Sequence, residues 1–123
     1  MADEIAARMR LAVDNAGGSD SLELLATAFT QTGIGLVHKT VTATTSEAAL
    51  AIPSGTLGYA MFVCRAVATA GNYVNIKTAT SGTVIIKMNV GEAAMFRFGS
   101  GITAPYIHAV TGNCTVEYLI LEA

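Results

Sequence analysis

Hydrophobic and polar positions along this chain follow two different rhythms, and the change falls near residue 34. Over residues 3 to 15 (DEIAARMRLAVDN) the apolar positions Ile5, Met9, Ala12 and Val13 recur at spacings of four and three, which predicts a short amphipathic helix. Asp3 and Glu4 stand where a helix N-terminus favours negative charge, and Asn15 to Gly18 stop the pattern. A second short helix is predicted from Ser21 to Gln31, capped by Ser19 or Asp20, with Leu22, Leu25, Ala26 and Phe29 as its apolar stripe. Neither is long enough to be stable alone in water, so residues 1–34 read as an arm of helical propensity that docks on something.

From residue 35 the period becomes two, and residues 35–123 read as one β domain. Predicted strands cover 35–44, 48–52, 57–69, 73–78, 83–90, 93–98, 106–110 and 114–121, the last two as a hairpin over Thr111-Gly112-Asn113. Turns at Pro53-Ser54-Gly55, Ala70-Gly71-Asn72, Ser81-Gly82 and Gly91-Glu92 separate them. The core is expected to take Val74 and Ile76, then Val84, Ile86, Met88 and Val90, then Ala94, Phe96 and Phe98, and finally Val116, Tyr118 and Ile120. Eight strands at roughly ten-residue intervals with no intervening helix predict an all-β, antiparallel sandwich or small barrel, a jelly roll by strand count.

The strand from Leu57 onward breaks the rule of one dry and one wet face. Leu57, Tyr59, Met61, Val63, Arg65 and Val67 alternate with Gly58, Ala60, Phe62, Cys64, Ala66 and Ala68, so both faces are mainly apolar. A strand apolar on both sides needs cover on both sides. A chain of 123 residues leaves no third layer, so another subunit is the expected cover. In the last strand Leu119 and Leu121 share the outward side of Glu117, which points to the same conclusion. Leu119 and Leu121 therefore join Ile5, Met9, Val13, Leu22, Leu25 and Phe29 as the candidate interface to an oligomer or other partner.

Composition agrees. Charged residues make up 13% of the chain against about 25% in an ordinary soluble domain, and seven of the sixteen charges fall in the first thirty residues. A net charge of −2 with scattered Lys and Arg is not the footprint of a nucleic-acid binder. The start MADEIAARMR has no hydrophobic signal core, and the uncharged run 98–116 is interrupted by Gly, Pro, Asn and His, so no membrane span and a cytosolic place of synthesis are expected. Cys64 and Cys114 are then expected to be thiols.

No pattern here reads as reaction chemistry. No Asp follows Asp20, and from residue 35 onward the carboxylates are Glu47, Glu92, Glu117 and Glu122, three of them at strand ends or turns. His38, Cys64, His108 and Cys114 are permitted zinc ligands, but none has a close-spaced partner. Gly99-Ser100-Gly101 lacks the lysine and helix of a phosphate loop. Tyr59, Tyr106 and Tyr118 are expected on the core side and Tyr73 outside, which leaves little of a sugar-stacking platform. The expectation is a protein that is not an enzyme and carries no cofactor or metal. A cupin-like enzyme would need a histidine cluster that two isolated residues do not supply.

The segments IPSGT before the long strand, GNYVNIKT, VGEAAMFRF and the closing YIHAVTGNCTVEYLILEA give the β domain a texture that resembles small virion proteins of tailed bacteriophages, above all capsid decoration (cement) proteins and related head or tail accessory proteins. The resemblance spans residue 35 to the C-terminus and carries over no functional residue. It implies a compact sandwich or barrel, commonly a homotrimer seated at a local three-fold of the capsid, in contact with the major capsid protein, with an N-terminal arm reaching over neighbouring coat subunits. Such arms are often extended, whereas this one has helical spacing. The expected location is the virion surface after synthesis in the host cytoplasm. A tail, neck or fibre component is the structural alternative, and a small sugar- or ligand-binding β module the alternative of another class.

Overall fold

A computed structural model describes residues 5–15, 17–29 and 35–123. The chain divides into two compact units, residues 1–32 and 33–123. Among the described residues every regular element is a strand.

The first unit is a hairpin of β1 (Ile5–Asn15) and β2 (Gly18–Phe29). The predicted helices are therefore incorrect. The strand signal was present: positions 5, 7, 9, 11 and 13 are all apolar, while Arg8, Arg10 and Asp14 alternate with them. That period of two competes with the looser four-and-three spacing, and pairing with β2 decides for the strand. In β2 the alternation is hidden by an irregularity: Ala7 pairs with Thr27 but Met9 with Leu24, so one extra residue of β2 shifts its parity midway. Gly18 closes the turn with φ of 134°, where a side chain is strained.

The second unit holds β3 (Leu36–Ala43), β4 (Ala48–Ala49), β5 (Leu57–Val67), β6 (Tyr73–Lys77), β7 (Val84–Asn89), β8 (Ala93–Arg97), β9 (Tyr106–Ala109) and β10 (Cys114–Glu122). They form two antiparallel four-stranded sheets, ordered β3-β10-β5-β8 and β4-β9-β6-β7, rather than a closed barrel. One core joins them, with Phe62, Cys64, Val74, Ile76, Met88, Ile107, Val116, Tyr118 and Ile120 nearly or fully buried. Phe62 stacks against Phe96 at 5.8 Å and against Tyr118 at 5.7 Å between ring centroids. The Tyr118 hydroxyl donates to the Ala51 carbonyl at 3.0 Å, so its burial strands no polar group.

Alternation placed the core correctly in β6, β8 and β10. It failed in β7, where Val84 is exposed, and at Val90 just beyond it. There β7 is an edge strand, and the pairing slips so that Lys77 meets Val84, one residue out of step with the Ile76–Ile86 pair. The expected β9–β10 hairpin does not form either, since the two strands belong to opposite sheets and residues 110–113 cross between them. Asn72, 3% exposed, holds that crossing. Its amide nitrogen donates to the Gly112 carbonyl at 2.8 Å, and its oxygen accepts from the Thr111 and Tyr73 backbone N–H groups.

In β5 irregularities in the pairing with β10 lie near both ends and decide which face is core. Leu57 pairs with Glu122 and Val67 with Cys114, on the same side as Ala60, Phe62 and Cys64. Tyr59, Met61 and Val63 stand on the other side, none of them buried. The small-residue set is thus the interior one, and Tyr59 faces out rather than into the core. Tyr106 also faces out, because Ile107 and Ala109 are the buried residues of β9. Gly58 is needed where β5 starts: a side chain there would sit 2.9 Å from the Ala123 backbone.

Candidate interaction surface

Residues directly opposite each other in antiparallel strands project to the same side, so the register defines the outer face of the β3-β10-β5-β8 sheet. One row crosses all four strands as His38, Leu119, Met61 and Met95. The next is Thr40, Glu117, Val63 and Ala93. Beyond the first row, Leu36 lies opposite Leu121 and Tyr59 opposite Arg97. Leu36 is 60% and Met61 43% exposed, while Leu119, Leu121, Val63, Tyr59 and Met95 are half-buried. The result is a strip of aliphatic and sulfur side chains open on its outer side.

Charged groups on this face are engaged with one another. Glu117 Oε1 accepts from Arg65 Nε at 3.0 Å and Nη2 at 2.7 Å, and Oε2 lies 2.7 Å from His38 Nε2. Arg65 first, and His38 second, hold the Glu117 carboxyl below its ordinary value, so it stays ionised at neutral pH. Such an exposed network adds little to folding stability. Its effect is to tie up the charges beside the apolar strip. Arg97 lies over the Tyr59 ring with its guanidinium carbon 5.7 Å from the centroid.

Leu119 and Leu121 thus project outward as the alternation predicted. In the hairpin, Met9 and Leu22 are exposed and Ile5 is half-buried, while the side chains of Val13, Leu25 and Phe29 lie outside the described residues. Sequence reasoning missed Leu36, Tyr59, Met61 and Met95. The bulky alternate positions of β5 were the signal for Tyr59 and Met61. Leu36 and Met95 become visible only once the register is known.

Other candidate chemistries are dispersed. His38 meets Glu117, and His108 Nε2 lies 3.1 Å from the Thr45 carbonyl oxygen. Cys64 and Cys114 are buried, burial pushes both thiols up, and the Asn72 amide lies 3.3 Å from the Cys114 sulfur. The two thiols interact with each other, but neither histidine joins them, and among the described residues no three metal-ligating side chains converge. Each β-domain carboxylate has a local partner. Glu47 binds Lys77, the Thr80 hydroxyl and the Ser81 N–H; Glu92 accepts from the Asn89 N–H; Glu122 accepts from the Gly35 N–H. Tyr73 faces out as expected, but Lys87 Nζ sits 4.1 Å above its ring and occupies the surface a sugar would stack on. An open cleft between 52–57 and 100–103 is lined by no titratable side chain.

No family model, curated protein or solved structure matches this chain.

Proposed function

We propose that this chain is a non-enzymatic virion structural protein, a capsid decoration or cement protein that binds an assembled phage shell as a symmetric oligomer and stabilises it. The observation that carries the reading is the outer face of the β3-β10-β5-β8 sheet, an open strip of Leu36, Leu119, Leu121 and Met61 whose neighbouring charges are already paired. A surface of that kind works by burial against protein, and a ligand that binds only the assembled shell stabilises it by mass action. The strand order supports a jelly roll: eight strands in two four-stranded sheets, each sheet drawing on both ends and the middle of the chain. A homotrimer fits a three-fold seat on the shell, with the major capsid protein as partner. A tail, neck or fibre component would use the same surface.

The test is to trace the tagged chain in purified particles by electron microscopy. Density at regular sites on the head supports the decoration reading. Density confined to the tail or neck moves the protein there, and absence from particles overturns the virion assignment.

A further inference from the structure

We propose that β3 of one copy pairs, in antiparallel sense, with β8 of the next, so that three copies close a ring through the edges of one sheet. The inference rests on the oligomer proposed above and names its contact. β3 and β8 are the two edges of the same sheet, and every pair within it is antiparallel. With four strands, the two edges run in opposite directions. Copies rotated about an axis along the strands therefore bring β3 to β8 antiparallel. A contact between two different edges closes a ring, whereas an edge that pairs with itself gives only dimers.

The free backbone groups match. Along an antiparallel strand, residues that turn N–H and C=O towards a neighbour alternate with residues that turn them away. The Glu122 N–H donates to the Gly35 carbonyl at 2.9 Å, so Val37, Lys39 and Val41 point at β10, and Leu36, His38 and Thr40 point away. The Phe98 N–H donates to the Gly58 carbonyl at 3.0 Å, so Ala94 and Phe96 point at β5, and Ala93, Met95 and Arg97 point away. Among the described residues no backbone bond is made to these outward groups. On both edges the outward residues are also those whose side chains lie on the outer face. Pairing the edges thus continues the sheet with its outer face on one side; the opposite parity on either strand would set outer face against inner. The second sheet offers no such edges, since β4 has two residues and β7 slips in register against β6. β3 has no proline and keeps one register with β10 over all eight residues.

Charge sets the register. Among the described residues Lys39 makes no ion pair. It lies opposite Tyr118, and Glu92 lies beside Cys64, so both stand on the inner side of the sheet. Setting Lys39 opposite Glu92 of the next copy puts His38 opposite Ala93 and Leu36 opposite Met95. The apolar strip then runs on across the junction, with the stagger that closing a twisted sheet requires.

The experiment uses the full chain carrying both His38→Cys and Ala93→Cys. A hydrogen-bonded antiparallel pair sets its Cα atoms about 5.5 Å apart, within reach of a disulfide, while in one chain the two positions lie three strands, or about 14 Å, apart. Cys64 and Cys114 are buried, so mild oxidation reports the new thiols. A non-reducing gel is expected to show a ladder that ends at three chains, with neither single variant cross-linking, and the same result from Leu36→Cys with Met95→Cys. Dimers from a single variant, or a ladder running past three chains, overturn the proposal. If neither pair cross-links while light scattering finds three chains, the edge contact is overturned and the oligomer stands; if the chain is a monomer, both are overturned.

Discussion

The two faces of β5 are made from the same kinds of residue and do different work. On the inner face Ala60, Phe62 and Cys64 are 3%, 0% and 0% exposed, locked between two sheets. On the outer face Met61, the residue between Ala60 and Phe62, stays 43% exposed with Leu119 and Met95 opposite it on the neighbouring strands. Hydrophobicity alone does not distinguish them. The inner face is small and aromatic and meets the other sheet of the same chain. The outer face, with Tyr59, Met61 and Val63, is bulkier and turns away from the other sheet. Changes inside are therefore expected to be read in folding, and changes outside, under the proposed function, in assembly.

The sharpest break comes from the inside. Phe62→Ala removes the ring that stacks on both Phe96 and Tyr118 and is expected to cost about 3–5 kcal/mol of folding stability, measured as a lower urea midpoint with an unchanged slope. Asn72→Ala comes next. It strands the Thr111 N–H and the Gly112 carbonyl at the crossing between sheets, for an expected loss of about 2 to 3 kcal/mol by the same measurement.

A smaller effect is read by pH. Glu47 is lowered from 4.5 to about 2, chiefly by Lys77 and then by the Ser81 N–H, and Ser81 sits at φ of 52° in the β6–β7 turn. Because the folded value is the lower one, its contribution is present above 4.5 and is lost as pH falls towards about 2. Glu47→Gln should flatten the acid limb of a stability-against-pH curve in that window; an unaltered limb would show that the turn does not depend on this carboxylate. The smallest change in folding is expected from Leu119→Asp on the outer face, within about 0.5 kcal/mol of the parent chain.

How much could be read beforehand follows the same division. The inward sets of β6, β8 and β10 were legible because each strand keeps its alternation of inward and outward positions over its buried residues. The outward direction of Leu119 and Leu121 was legible through Glu117, which cannot be buried without a partner. Which face of β5 is core was not legible, because both are apolar and the pairing shifts near its ends transfer Leu57 and Val67 to the small-residue side. The hairpin strands were misread as helices because the parity shift in β2 mimics a helical stripe. The β9–β10 crossing was misread because alternation says which side a residue faces and never which strand it pairs with. Leu36 and Met95 join the surface only through register, and Asn72 earned no attention because a turn asparagine gives no sign of being buried.

The central claim is that the outer face of the β3-β10-β5-β8 sheet is covered by another copy of this chain. Light scattering of the parent chain and of Leu119→Asp, each over a hundredfold dilution, tests it most directly. The account predicts a multiple of three chains that persists on dilution for the parent, and a lower mass with unchanged strand content by circular dichroism for Leu119→Asp. A parent chain that is monomeric throughout, or a Leu119→Asp chain of unchanged mass, would contradict it.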